Sequence, residues 1–317
     1  ELITQVFSLS NVPRLTSSQF GRSDLLQEQL NLTLYKNKKF ADLATQRKGP
    51  FAVISATDMT AGQKVNFTQD FFDMLCLNLN DLQIARAVAA SSAVPLIFSP
   101  ITLNNHGGNC HFYHPLRMTS QYQLSTLAQQ NLMAMKTYVT RYQDTQSHPY
   151  LHLVDGGLTD NLGLAGLLDI SNVMQLEELY AMLEQSQLRN IVVVNVNAQN
   201  EITTEMDKSA DIPGITDVVN TVIRVPINKT SESTLQYSQK FTEQWNAYAK
   251  RHKGRKIQIY FVNLSLKNLP EGQLKNDVLN IGTSFYLPES DVDKLREAAK
   301  ILLQQSKEYR KALKALQ

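Results

Sequence analysis

Leu151-His152-Leu153-Val154-Asp155-Gly156-Gly157-Leu158-Thr159-Asp160-Asn161 runs from an apolar, strand-forming segment straight into a carboxylate followed by two glycines. Adjacent glycines at the end of an apolar run mark a sharp backbone turn, with room for another segment or a ligand to come close. The spacing therefore puts Asp155 at the rim of a strand. A carboxylate held there by main-chain N–H groups, and partly shielded from water, can orient and deprotonate a hydroxyl. The same pattern also reads as a plain β-turn in which Asp155 caps local N–H groups and Asp160 and Asn161 stiffen the turn. His152 precedes Asp155 by three residues, so along a strand the two leave opposite faces and are not expected to act as a pair.

A second segment, about 60 residues earlier, is Ile84-Ala85-Arg86-Ala87-Val88-Ala89-Ala90-Ser91-Ser92-Ala93-Val94-Pro95-Leu96-Ile97-Phe98. Its small residues predict a helix that lets another backbone approach closely, and Pro95 disfavours helical geometry at Val94, ending it. Ser91 and Ser92 fall at that end. An ordinary buried, alanine-rich helix has the same pattern.

Together these segments resemble the patatin-like phospholipase family of lipid acyl hydrolases. The resemblance extends through Phe20-Gly21-Arg22-Ser23-Asp24-Leu25, Phe40-Ala41-Asp42-Leu43, Ile54-Ser55-Ala56-Thr57-Asp58-Met59-Thr60-Ala61-Gly62 and Ile281-Gly282-Thr283-Ser284-Phe285. It implies a three-layer αβα sandwich around a central, mostly parallel sheet. It also implies a dyad in which a serine in a G-x-S-x-G elbow attacks the acyl ester and the D-G-G aspartate activates it. By that resemblance Asp155 takes the aspartate position, with Gly156, Gly157 and Asn161 as its supporting turn and Ser91 and Ser92 packing nearby.

No G-x-S-x-G occurs in the 317 residues. Gly21-Arg22-Ser23 is closed by Leu25 instead of glycine, and Gly282-Thr283-Ser284 runs into Phe285 and Tyr286. An elbow needs both glycines because the strand-to-helix turn around its serine is strained and crowded. The glycine-rich loop that forms the family's oxyanion hole is absent as well. The expectation is therefore one patatin-like domain over 1–317 whose nucleophile elbow and oxyanion loop lie upstream, this chain alone being inactive. The complete protein is expected to be a phospholipase A- or lysophospholipase-like serine hydrolase. The alternatives are a non-catalytic remnant that binds lipid or a partner, and a fragment that works only with its N-terminal piece.

Composition fits a folded α/β body: 43% of residues are hydrophobic and 19% charged, which argues against general disorder. The formal net charge of +2 gives no reason to expect nucleic acid as a partner. No apolar run reaches the roughly 18 residues that a membrane-crossing helix takes. The partners implied are a phospholipid or other acyl ester, a peripheral membrane surface and the N-terminal piece. No cofactor is implied. The family resemblance fits a secreted or bacterial envelope location.

Cys76 and Cys110 could pair in an oxidising compartment or stay a buried thiol and a loop thiol. Cys110, His111 and His114 lack a second ligand pair at a recognised spacing, so a metal site is not expected.

Strands are predicted at 51–56, near 65–67, at 151–154, and at the runs Ile191-Val192-Val193-Val194-Asn195-Val196-Asn197 and Ile257-Gln258-Ile259-Tyr260-Phe261-Val262-Asn263. The unbroken valines of the first of these runs predict a strand covered on both faces. A helix is predicted from Ser233 to near Gly254, with Leu235, Phe241, Trp245 and Tyr248 facing the core. A last helix is predicted after Pro288, capped by Ser290 and burying Val292, Leu295, Ala299, Leu302 and Leu303. The irregular stretch 104–149 reads as a lid over the active face or a surface excursion.

Overall fold

The computed structural model describes residues 11–46, 49–110, 112, 126–200, 210 and 212–317. It is mixed α/β, and the chain forms two compact units, residues 1–163 and 164–317.

The first unit is built on a four-stranded sheet in the order β2-β1-β4-β3. Its strands are β1 (Ser55–Asp58), β2 (Lys64–Asn66), β3 (Ile101–Asn104) and β4 (Tyr150–Val154). Every pairing in it is antiparallel, with Thr57 opposite Val154, Asp58 opposite Leu153, and Leu153 also opposite Ile101. The central parallel sheet expected from the sequence is therefore not what these strands form. Local chemistry explains the β1–β2 pair: Asp58 Oδ1 accepts the Thr60 and Ala61 N–H groups at 2.8 and 3.2 Å, and Gly62 adopts φ 64°. That is a tight hairpin, and a hairpin can join only antiparallel strands.

Beside the sheet lie α1 (Arg22–Leu30), which runs on as a π-helical turn through Asn31–Tyr35, and α2 (Ile84–Ser91). Ala85, Ala87, Ala89 and Ala90 of α2 are fully buried, which lets that helix pack tightly on β1 and β4. β4 alternates as a half-buried strand should, with Leu151 and Leu153 in the core and Tyr150 and His152 exposed.

The excursion between β3 and β4 is tied down at its described parts. Cys76 and Cys110 form a disulfide. The buried Asn105 side chain donates to the carbonyls of Tyr142 and His148 at 2.9 and 2.7 Å. The helix α3 (Thr126–Gln143) brings Tyr142 into the core. His111 and His114, named above as a candidate clip, lie outside the described residues, as do the other residues of 113–125.

The second unit contains one parallel pair, β5 (Asn190–Asn197) and β6 (Gln258–Ser265), in register from Asn190 opposite Gln258 to Asn197 opposite Ser265. Val194 and Val196 are 46% and 71% exposed, so β5 is not covered on both faces as its valines predicted. Burial on both faces needs further strands and layers, and among the described residues this sheet has only two strands.

Two helices flank it on the sequence side: α4 (Leu176–Glu184) and α5 (Ile215–Arg251). The latter starts well before Ser233, running through Pro226. A proline removes one intrahelical hydrogen bond, a penalty of about 3 kcal/mol that a long, packed helix can carry. The aromatic face near its end is core, as expected. Trp245 is fully buried and donates Nε1–H to the Ile257 carbonyl at 2.9 Å, while Asn246 bonds both the N–H and the carbonyl of Ile259. Tyr180 of α4 stacks against Trp245, and its hydroxyl donates to the Arg255 carbonyl.

The last long helix is α6 (Glu289–Gln305), whose N-cap is Pro288 rather than Ser290. Its inward stripe runs through Leu295, Ala298 and Leu302, leaving Val292 and Ala299 exposed. The expected stripe erred by one position at Ala299 because spacings of three and four fit the same leucines.

Candidate active site

β4 ends at Val154, and the chain then makes the turn that the paired glycines predicted. The Asp155 N–H donates to the Ala93 carbonyl at 3.0 Å, and the Gly156 N–H donates to the Ser91 carbonyl at 3.1 Å. The end of α2 and the end of β4 are thus joined by main-chain bonds. Thr57 of β1 closes the third side: its hydroxyl donates to the Asp155 carbonyl at 2.8 Å and lies 2.9 Å from the Thr159 hydroxyl.

Gly156 is required by space, and Gly157 leaves the neighbouring side chains their positions. A methyl group at Gly156 would be driven into the Ser55 carbonyl oxygen. One at Gly157 would stand 2.8 Å from Asp155 Oδ1 and 3.0 Å from Asn161 Oδ1, so those two side-chain ends would have to move. These residues lead into a single helical turn, Gly157–Asp160, where Asp160 forms an ion pair with Lys64 of β2 at 3.5 Å, both side chains being largely buried. Asp160 therefore fastens the turn to the hairpin.

The Asp155 carboxyl is half-buried and accepts the Gly157 N–H at Oδ1, 2.7 Å away. No cation pairs with it among the described residues. Burial pushes its pKa above the ordinary carboxylate value, and the Gly157 N–H opposes that shift. One oxygen is oriented and the acid is not neutralised by a salt link, so it can accept a proton from a hydroxyl brought to its rim.

Of the residues named from sequence, Asp155, Gly156, Gly157 and Asn161 come together, and Ser91 joins them through its carbonyl. Ser92 sits at the C-cap of α2, its carbonyl accepting the Val94 N–H at 2.9 Å. His152 points elsewhere, its Nδ1 lying 2.9 Å from the Thr102 hydroxyl. Neither near-miss serine is bonded to the Asp155 turn among the described residues. Ser23 is fully buried with its hydroxyl on the Ser99 carbonyl, and Ser284 accepts the Tyr286 N–H at 3.1 Å. Thr57 and Ala93 escaped the sequence reading. Thr57 could have been found from its place one alternation from Ser55 on the strand facing the turn; Ala93 contributes only its carbonyl, which any residue has.

A carboxylate is thus oriented at a strand end, beside a helix of small residues in a mixed α/β unit. The family model for patatin-like phospholipase matches residues 8–168, half of the chain, including β4, Asp155 and both glycines. The chain belongs to the patatin-like phospholipase family, whose members are lipid acyl hydrolases acting on lipid substrates. No curated protein and no solved structure matches it. Among the described residues no helix is long and apolar enough to cross a membrane.

Proposed function

We propose that Asp155 is the base of a Ser–Asp dyad that cleaves lipid acyl esters, in the manner of a phospholipase A or lysophospholipase, and that the serine belongs to a segment outside these 317 residues. The observation that carries this reading is the placement of the Asp155 carboxyl: oriented through Oδ1 by the Gly157 N–H, half-buried, and without an ion-pair partner among the described residues.

In this reading Asp155 takes the proton of the attacking serine hydroxyl as the acyl carbonyl is converted to its tetrahedral adduct. Asp155 then gives that proton to the leaving alkoxide, which departs as the alcohol; in the second half it takes a proton from the attacking water and returns it to the serine oxygen as the carboxylic acid leaves. Gly156 and Gly157 permit the close approach, and Thr57 and Ala93 fix the main chain that carries the acid. The Cys76–Cys110 disulfide supports a location in an oxidising compartment, secreted or in the cell envelope, where the protein works at a membrane surface.

The test is ester hydrolysis by a polypeptide that joins these residues to a serine elbow, compared with its Asp155→Asn variant and with residues 1–317 alone. Loss of turnover in the variant is expected, and no turnover in the chain alone. Hydrolysis retained by Asp155→Asn overturns the base assignment; hydrolysis by residues 1–317 overturns the external serine and brings Ser91 and Ser92 into contention.

A further inference from the structure

Helix α3 and the loop that follows it line a groove of about 490 Å³, bounded by Lys136, Thr137, Thr140, Arg141, Asp144 and His148. The first four fall at positions i, i+1, i+4 and i+5, two adjacent rows on one helix face, and Asp144 continues the first row just past the helix end. The loop beyond is fixed by the fold. Asp144 Oδ1 accepts the Ser147 N–H at 3.2 Å, the His148 N–H donates to the Asp144 carbonyl at 2.9 Å, and the buried Asn105 side chain donates to the His148 carbonyl. This end of the groove is therefore preformed.

Donors outnumber acceptors along it. Neither Lys136 nor Arg141 is ion-paired among the described residues. Arg141 Nε is shut off from solvent and meets no acceptor among them. Asp58, the acid that α3 meets in the core, is already engaged by Tyr142, Thr60 and Ala61. The Thr137 hydroxyl is spent on the Met133 carbonyl, whereas the Thr140 hydroxyl has no partner among the described residues. Asp144 is the one acid lining the groove, and its Oδ1 is occupied by Ser147. A charged donor removed from water without an acceptor carries a penalty, and an anion entering the groove would remove it.

We propose that this groove binds a tetrahedral oxyanion of the phosphate class, with Arg141 and Lys136 as its charged donors and Thr140 and His148 as its neutral ones. Four donors suit an acceptor with four oxygens, where a carboxylate offers two. The planar guanidinium can hold two of those oxygens at once, and the ammonium acts as a point charge. The site shares no residue with the Asp155 turn and stands or falls independently of the role of that turn. Free phosphate and the phosphate of a lipid headgroup present the same oxygens, so the experiment separates them.

Residues 1–317 are titrated at low ionic strength with inorganic phosphate by calorimetry, and with phosphatidylcholine vesicles, with and without phosphatidate, by co-sedimentation. The natural sequence is compared with Lys136→Gln, Arg141→Gln, Asp144→Asn and Lys36→Gln, the last removing an exposed charge of the same unit outside the groove. Lys136→Gln and Arg141→Gln are each expected to weaken binding roughly ten-fold or more, the loss of one charge-assisted hydrogen bond. Lys36→Gln should stay within about two-fold, since salt screens distant exposed charges. Asp144→Asn keeps an acceptor for Ser147 and removes the like charge, so it should tighten binding about two- to five-fold. Tightening cannot arise from damage to the fold. Binding of inorganic phosphate alone assigns the site to the free ion, and binding that extends to phosphatidate vesicles, or is confined to them, assigns it to a headgroup. Either supports the site. Binding of neither probe, affinity unchanged in both Lys136→Gln and Arg141→Gln, an equal loss in Lys36→Gln, or no tightening in Asp144→Asn overturns it.

Discussion

The Tyr142 hydroxyl donates to Asp58 Oδ2 at 2.6 Å, both residues being buried, and so binds helix α3 to strand β1 from inside the core. Asp58 Oδ1 is taken by the Thr60 and Ala61 N–H groups, so the tyrosine serves the other oxygen of a carboxylate that has no water to turn to. Burial, reinforced by that carboxylate, pushes the Tyr142 hydroxyl above the usual phenol range.

Tyr142→Phe should therefore destabilise the first unit by about 1–3 kcal/mol, since it removes the donor and leaves a buried acceptor short of a partner. Urea denaturation with the m-value unchanged is the measurement; a loss below a few tenths of a kcal/mol would show that Asp58 draws no stability from the contact.

Asp155→Asn should lower hydrolysis by about 10²- to 10⁴-fold in a polypeptide that carries the serine. It should not lower stability at neutral pH. Because the folded pKa lies above the unfolded value of 3.8, the folded chain holds its proton more tightly. Stability falls as pH rises from the ordinary carboxylate range through the raised folded value, and the ionised acid is a net penalty above it. Tm of the Asn variant minus that of the natural sequence should thus grow more positive over that window and then level off. A difference that shrinks with rising pH would reverse the assigned shift.

Gly157→Ala should separate function from folding. The added methyl group meets the Asp155 and Asn161 side-chain oxygens, which can yield by rotating, so the acid is displaced while the fold survives. Gly156→Ala meets the Ser55 main chain instead and should destabilise by roughly 1–3 kcal/mol. Kinetics and melting curves of the two variants side by side are the check: equal melting losses would contradict the difference in what each methyl group strikes.

Reduction of Cys76–Cys110 releases a loop closed across a separation of 34 residues, worth about 4 kcal/mol on chain-entropy grounds. Denaturation with and without reductant, against a Cys76→Ser/Cys110→Ser double variant, tests it. The variant should match the reduced protein.

The turn at Asp155 and the helix of small residues were legible in the sequence because both depend on local rules: glycine spacing and alanine burial act wherever they occur. The buried tryptophan on α5 was legible for the same reason. What could not be read was which strands pair. Leu151, Leu153 and Val154 look alike in a parallel or antiparallel sheet, and only the Asp58–Gly62 hairpin chemistry, spread over side-chain and main-chain bonds, decides for β1 and β2. Val194 and Val196 misled because a run of valines records propensity and not the number of neighbouring strands. Thr57 and Ala93 act through bonds to the main chain of Asp155, and a partner chosen by three-dimensional approach leaves no spacing to read.

That the acid is located by peptide groups, Asp155 to Ala93 and Gly156 to Ser91, has a bearing on how this part of the molecule can drift over time. Amides are common to all residues, so replacements at Ser91 or Ala93 that respect the available room leave the acid where it is. Insertion or loss of a single residue in either stretch would break both links at once. The spacing of this region is thus under tighter constraint than its lettering.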